Sequence, residues 1–305
     1  MFRNLSKIIA FLGILIFVSS CKKDDDGIPE FKERDRAEEA AAAKQEILNF
    51  LNNFFYNYED FENPPPGFDY KIVFDSIAGD NIDKIPLIDQ VQMKRIKDRV
   101  KPEVEYELYY LIAKQGHGDT ARFAGSAMVN YQGLLLKNLN TFDQSINPIM
   151  FDLTNVIQGF QLGISTIQAA DNYIENPDGT ITFENYGVGA VFIPSALGYW
   201  YMPPNNSIIS AYNQLIFTYE VFKVINDIDH DGDGIPSWME DLNGNNFLLD
   251  DDTNENGVPN YLDNDDDGDG VPTADEITVN EDGSIEFPDH NNDGTPDYLD
   301  PDYPY

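Results

Sequence analysis

The chain holds a single cysteine, Cys21, so no intrachain disulfide can form. Its three histidines, His117, His230 and His290, are too scattered for a zinc site. No P-loop, HExxH helix, nucleophile elbow or Cys/His cluster occurs, so the sequence offers none of the chemistry those motifs carry. Cations are missing from the last quarter: no Lys or Arg follows Lys223. The stretch from Asn226 to Tyr305 carries 20 Asp and 5 Glu, and so holds −25 of the formal net charge of −35. A surface this acidic repels nucleic acid and anionic lipid and attracts cations.

What is present begins with Arg3 and Lys7 ahead of an apolar run, Ile8 to Val18, that ends at Ser19-Ser20-Cys21. Eleven residues are too few to span a bilayer as a helix but suit a signal peptide. The cysteine at its end resembles the lipobox of bacterial lipoproteins, which implies that Cys21 is acylated and residues 1–21 are removed. The following Lys22-Lys23-Asp24-Asp25-Asp26 resembles the acidic tags that direct some lipoproteins to the outer face of the envelope. The expected location is therefore the cell envelope, lipid-anchored, at the periplasmic or the surface face of the outer membrane.

Residues 22–104 read as a tether and an N-terminal helical region. Glu38 to Phe55 is predicted helical, with Ile47, Leu48, Leu51, Phe54 and Phe55 as its apolar stripe. Pro64-Pro65-Pro66-Gly67 breaks the chain, and Tyr70 to Ile77 alternates as a strand does. From there to Val100 the pattern is ambiguous.

Strands are expected at Tyr106–Ala113, Ala127–Leu136, Pro148–Leu153, Gly187–Ile193 and Leu215–Ile225. Asn138–Asn147 reads as a turn region. A short helix follows, capped by Thr154 or Asn155, with Val156, Ile157 and Phe160 on one face. Asn176-Pro177-Asp178-Gly179 marks an inserted hairpin. By pattern alone these aromatics suit a plain α+β core.

The segments VNYQG, TFDQS, PIMFDLTNVIQGFQLG, VFIPSALGY and LIFTYEVFKV occur in the order found in FKBP-type peptidyl-prolyl isomerases. This region of the chain, bounded as residues 105–225, resembles that family. The resemblance implies an α+β fold, a curved antiparallel sheet wrapped on a short helix. It also implies a prolyl cis–trans isomerase needing no cofactor, with proline-containing proteins as clients. Carried over by motif, the pocket residues are Tyr131, Phe142, Asp143, Val156, Ile157, Phe160 as floor, Tyr199, Ile209 and Phe217, with Ile208 beside them. The family floor is often Trp, and a wall position that is often Phe falls on Ile149 or, with a shifted alignment, on Phe151. Trp200 stands where the family commonly has Gly. The alternative reading is a non-catalytic module whose pocket only holds a peptide.

Residues 226–305 repeat a spaced pattern of oxygen ligands at places 1, 3, 5 and 12, with Gly at place 6, as in calcium loops. The sets are Asp229, Asp231, Asp233 and Glu240; Asp252, Asn254, Asn256 and Asp263; Asp265, Asp267, Asp269 and Glu276; and Asp289, Asn291, Asp293 and Asp300. A weaker copy runs Asp241, Asn243, Asn245, Asn246, Asp252, which makes Asp252 shared between two loops. The spacing leaves no room for helices between most loops, and Pro236, Pro259, Pro272 and Pro296 all fall at place 8. The tail resembles thrombospondin type 3-like repeats, which implies structural calcium in place of a hydrophobic core.

Overall fold

The computed structural model describes residues 32–303. The predicted signal peptide, Cys21 and the acidic run after it lie outside the described residues. From Arg34 onward the chain forms one compact unit. Among the described residues, no helix is long and apolar enough to cross a membrane.

Helix α1 (Arg36–Asn53) starts two residues before the expected span and is capped by Asp35, whose carboxylate accepts from the N–H groups of Ala37 and Glu38. Ala43, Ile47, Phe50 and Leu51 are its buried face. The predicted stripe ended on Phe54 and Phe55, but these lie in strand β1 (Phe54–Tyr56). A one-turn helix α2 (Tyr58–Glu62) leads to β2 (Phe74–Ser76), which pairs with β1.

Six strands then build one antiparallel sheet: β3 (Gln92–Lys97), β4 (Glu105–Lys114), β5 (Ser126–Leu135), β6 (Thr141–Asp152), β9 (Gly187–Ile193) and β10 (Leu215–Ile225), in the order β3-β4-β9-β10-β5-β6. The edge strand β3 precedes residue 105. The region expected to be a turn, Asn138–Asn147, lies mostly within β6. Residues 141–152 form one strand whose pairing with β5 shifts register between Val129 and Tyr131 and between Gly133 and Leu134. Those irregularities bend the strand, as bulges do, and let turn-type residues occupy it.

Helix α3 (Gln158–Ile164) crosses the concave face against β9 and β10. Val156 and Ile157 are not in it: both are extended, and Ile157 is its cap residue. Neither Thr154 nor Asn155 caps this helix. Asp152 instead caps a 3-10 turn, Leu153–Asn155, by accepting from Thr154 N–H. Gly163 brings α3 close to the sheet, since a Cβ there would stand 2.7 Å from Val191 Cγ1.

Phe160, Ile164, Val191, Leu215, Phe217 and Tyr219 fill the concave core. Phe50, Leu51, Phe74, Tyr109 and Phe192 fill a second core on the other face, under α1 and the β1–β2 hairpin. The start of α1 is fixed by polar contacts. Arg36 pairs with Asp98 at 2.6 Å, and Tyr106 donates to the same carboxylate at 2.9 Å. Glu39, buried, accepts from Ser195 Oγ at 3.0 Å and from Arg34 at 2.7 Å.

The inserted hairpin forms as β7 (Asn172–Glu175) and β8 (Ile181–Glu184). Among the described residues, the regular elements of the acidic tail are 3-10 turns, a one-turn helix α4 (Thr273–Glu276) and a two-residue pair, β11 (Thr278–Val279) with β12 (Ile285–Glu286). It packs on the sheet module through Leu248, Tyr261 and Trp238 against Phe123 and Ala124. Arg122 lies over the Trp238 ring at 3.7 Å and Arg99 over Phe247 at 3.8 Å.

Candidate functional site

Strand alternation puts Tyr131 of β5 and Phe217 and Tyr219 of β10 on the concave face, under α3. Phe160 of α3 packs among them, tilted to Phe217 at 4.9 Å between ring centroids and edge-on to Phe151 at 5.8 Å and Tyr131 at 6.0 Å. Phe142 lies edge-on to Phe217 at 5.4 Å and directly over Gly133, where a Cβ would stand 2.5 Å from the ring. Phe160, Phe217 and Ile209 are buried floor and wall, while Tyr131, Phe142, Phe151, Val156, Ile157 and Tyr199 are half-buried around them. Every pocket residue named from the sequence except the exposed Asp143 and Ile208 therefore belongs to one apolar cluster.

Three details refine the expectations. Phe151, not Ile149, joins the aromatic cluster. Ile149 pairs with Val129 next to the first register shift of β6 and stays 41% exposed. Ile208 points outward, 53% exposed, and leaves the wall to Ile209. Trp200 does not sit in the aromatic cluster. It packs edge-on against Tyr212 at 5.0 Å and under Arg36, with a left-handed backbone (φ 53°) of the kind that glycine adopts without strain.

Tyrosine hydroxyls tie down the polar groups here, and Tyr219 donates to the Gly163 carbonyl at 2.8 Å. Tyr131 donates its hydroxyl to Asp143 Oδ2 at 2.8 Å. Burial first, and Asp143 second, push the Tyr131 phenol up; burial, with Asp143 nearby, also raises Tyr199. Both tyrosines are therefore neutral donors at neutral pH. A separate cavity of 330 Å³ lies over Asn130, Gln132, Thr218 and Glu220, residues that alternate with the pocket strand residues and so face the other side of the sheet. Its lining mixes those polar groups with Tyr70, Ile72, Ile146 and Val188.

In the tail, all five loops share one backbone. Places 4 and 6 are left-handed in each: Gly232 and Gly234, Gly244 and Asn246, Glu255 and Gly257, Gly268 and Gly270, Asn292 and Gly294. In four of them the place 1 carboxylate accepts the place 6 N–H, as Asp229 does from Gly234 at 3.0 Å. Place 9 has a role the sequence did not reveal. Ser237, Asn260, Thr273 and Asp297 are buried there, and each accepts the N–H of place 2.

The sharing of Asp252 is resolved. Its two oxygens accept from Asn256 and Gly257, inside its own loop, while Asp251 closes the preceding loop through Asn243 at 3.1 Å. A 3-10 turn at Leu248–Asp250 takes up the one-residue difference.

Among the described residues, carboxylates converge in three places: Asp229, Asp231 and Asp233; Asp265, Asp267 and Asp269; and Asp233, Glu240 and Asp266, the ligand atoms of each set within 4.8 Å of one another. Buried oxygens of Asp231, Asp233, Glu240, Asp266, Asp267, Asp269 and Glu276 have no hydrogen-bond partner. Burial first, and neighbouring carboxylates second, push Glu240 up to about 10, Asp266 to about 9 and Glu276 to about 8. Such a donor set of unpartnered, hard oxygens fits a divalent cation and not a hydrogen-bonded core.

Residues 230–289 match the family model described as BamM C-terminal. No curated protein matches the chain. Among solved structures, the chain is similar to a peptidyl-prolyl cis-trans isomerase from Pseudomonas syringae pv. tomato, at 16% identity and a TM-score of 0.36, covering 64% of this chain and 98% of that one. It is also similar to FkpA from Escherichia coli, at 19% identity and a TM-score of 0.34, over 62% of this chain and 64% of that one. A third is the N-terminal domain of FKBP42 from Arabidopsis thaliana, at 14% identity and a TM-score of 0.32, covering 39% of this chain and 87% of that domain.

Proposed function

We propose that the chain is an FKBP-type peptidyl-prolyl cis–trans isomerase, acting on proline-containing protein clients at the cell envelope. The observation that carries this reading is the aromatic cluster of Phe160, Phe217, Tyr131, Phe142 and Phe151, half-buried at its rim and free of any nucleophile. Rotation about an Xaa-Pro bond needs none. Its barrier of about 18–20 kcal/mol comes from the partial double bond of the planar amide. Twisting the bond removes that resonance and lowers the charge separation, so an apolar, water-poor surface favours the twisted form over the planar one. Phe160 and Phe217 provide that surface for the proline ring. The raised Tyr199 phenol stays protonated and orients the carbonyl oxygen. Asp143 holds Tyr131 in place and transfers no proton.

Exchange NMR on one Xaa-Pro peptide with an apolar residue before proline tests the reading. Catalysis appears as broadening of the cis and trans signals. Saturable binding with an uncatalysed exchange rate overturns the enzyme and leaves a peptide-holding module.

The tail is read as structural calcium repeats of the thrombospondin type 3 kind. Asp229, Asp231 and Asp233, and Asp265, Asp267 and Asp269, would hold calcium, which supplies the positive charge that 80 residues without Lys or Arg lack. Cys21 is the acylated anchor, and one chain gives only marginal attachment, so at least two are expected. Palmitate labelling that persists in Cys21→Ala overturns the anchor.

A further inference from the structure

The loop pattern leaves one residue unexplained. Asp266 stands at place 2, where a calcium loop takes no ligand, yet it is 1% exposed and neither of its carboxylate oxygens has a partner. Its backbone is engaged, donating to Thr273 Oγ1 at 3.1 Å, so the side chain is held while its charge goes unmet. Facing it are Glu240, also 1% exposed with both oxygens unpartnered, and Asp233, 2% exposed with Oδ2 unpartnered. One oxygen from each of the three lies within 4.8 Å of the others. Three buried carboxylates of like charge do not gather around nothing, because burying even one unpaired charge is costly.

We infer that Asp233, Glu240 and Asp266 form a calcium site between loops, one that clasps the loop 229–240 to the loop 265–276 across the two loops that separate them in sequence. The inference rests on the calcium reading of the tail and changes it. Glu240 faces Asp231 and Asp233 of its own loop as well as Asp266 of the second one, and Asp233 bridges two ions, since it also belongs to the set with Asp229 and Asp231. A hard oxygen donor set carrying three negative charges suits calcium, which accepts irregular arrangements of six to eight oxygens, more readily than magnesium with its strict octahedron. The same two loops meet again beside the site: a Cβ at Gly234 would stand 3.3 Å from Ile277 Cδ1, the residue that follows Glu276. The loops are therefore a coupled pair, and emptying the clasp loosens both.

Ion counting on the full chain tests this, by native mass spectrometry after removal of calcium with EDTA and its return at millimolar concentration. Asp266→Asn is expected to bind one calcium fewer than the wild type, and Glu240→Gln the same. The double variant should lose no further ion, because both residues serve one site. An unchanged count in Asp266→Asn overturns the clasp while leaving the loop sites standing; a wild type that takes up no calcium overturns both. Should the variants fail to fold, hydrogen exchange on the wild type decides. Residues 229–240 and 265–276 are expected to gain protection at the same calcium concentration, and separate midpoints overturn the clasp.

Discussion

His230 Nε2 stands 3.3 Å from Asp152 Oδ2, and this contact joins a loop of the acidic tail to the turn that presents the pocket wall. Asp152 caps the turn Leu153–Asn155, and Val156 and Ile157 follow at once. His230 is in turn fixed by Ser237 Oγ at 2.8 Å through its other ring nitrogen. Position is thus handed from the acidic loop at Asp229 to the pocket through three side chains.

That relay predicts a measurable coupling. His230→Ala should cost about 1 kcal/mol in urea denaturation, the worth of one partly exposed hydrogen bond. It should also lower the calcium dependence of prolyl-peptide exchange. A double-mutant cycle with Asp152→Asn should return most of that energy as coupling. Additive effects would sever the relay.

Within the pocket, the contacts rank three substitutions. Tyr199→Phe should reduce the exchange rate modestly, by the loss of one orienting hydrogen bond worth about 0.5–1.5 kcal/mol. Phe142→Ala should cost more, since it uncovers Gly133 and admits water beside Phe217. Asp143→Ala frees Tyr131 and should give partial loss with no new pH dependence. Near abolition that follows a single titration would make Asp143 a proton-transfer group instead.

The Asp98 cluster gives an acid-side prediction. Burial pushes the Asp98 carboxyl up, but the Lys101 N–H, Tyr106 hydroxyl, Arg36 and Val100 N–H together hold it below the ordinary carboxylate range. A folded value below the unfolded one, about 3.9, stabilises the protein above that pH and is lost as pH falls through the folded value. Asp98→Ala should therefore destabilise at pH 7, by about 3 kcal/mol because it removes one partner of a buried ion pair and the acceptor of the Tyr106 hydroxyl, and the difference should shrink towards pH 2. Chemical denaturation at both values checks it.

The tail carboxylates carry the opposite sign. Glu240, Asp266 and Glu276 have folded values raised to about 10, 9 and 8 in the ion-free protein, far above their unfolded ones. Between the two, the folded state binds more protons, so ion-free stability falls as pH rises from about 4 to about 10. In EDTA, the tail should unfold more readily at pH 8 than at pH 5. Saturating calcium should reverse that order, and its binding should release protons, which calorimetry in two buffers detects.

Much of the fold and of the candidate site was legible in the sequence, because one-dimensional spacing carries it. The strands Gly187–Ile193 and Leu215–Ile225 show in their β-branched and aromatic runs, the helix over Ile47 and Leu51 in its apolar period, and the loops in acids at alternate places with Gly at place 6. The pocket aromatics, too, are legible in the sequence, through the resemblance of five ordered segments to one family.

Only tertiary structure decided the rest. Whether Ile149 or Phe151 meets Phe160 depends on a register shift in β6, and a shift is a property of two paired strands. That Asp251 closes the loop begun by Asp241, in place of Asp252, follows from a 3-10 turn whose length no ligand spacing records. The burial of Glu39 beneath Ser195, and of Asp266 opposite Glu240, joins residues far apart in the chain. A carboxylate that will be buried reads in sequence like any solvated one, since what distinguishes them is the desolvation imposed by distant neighbours.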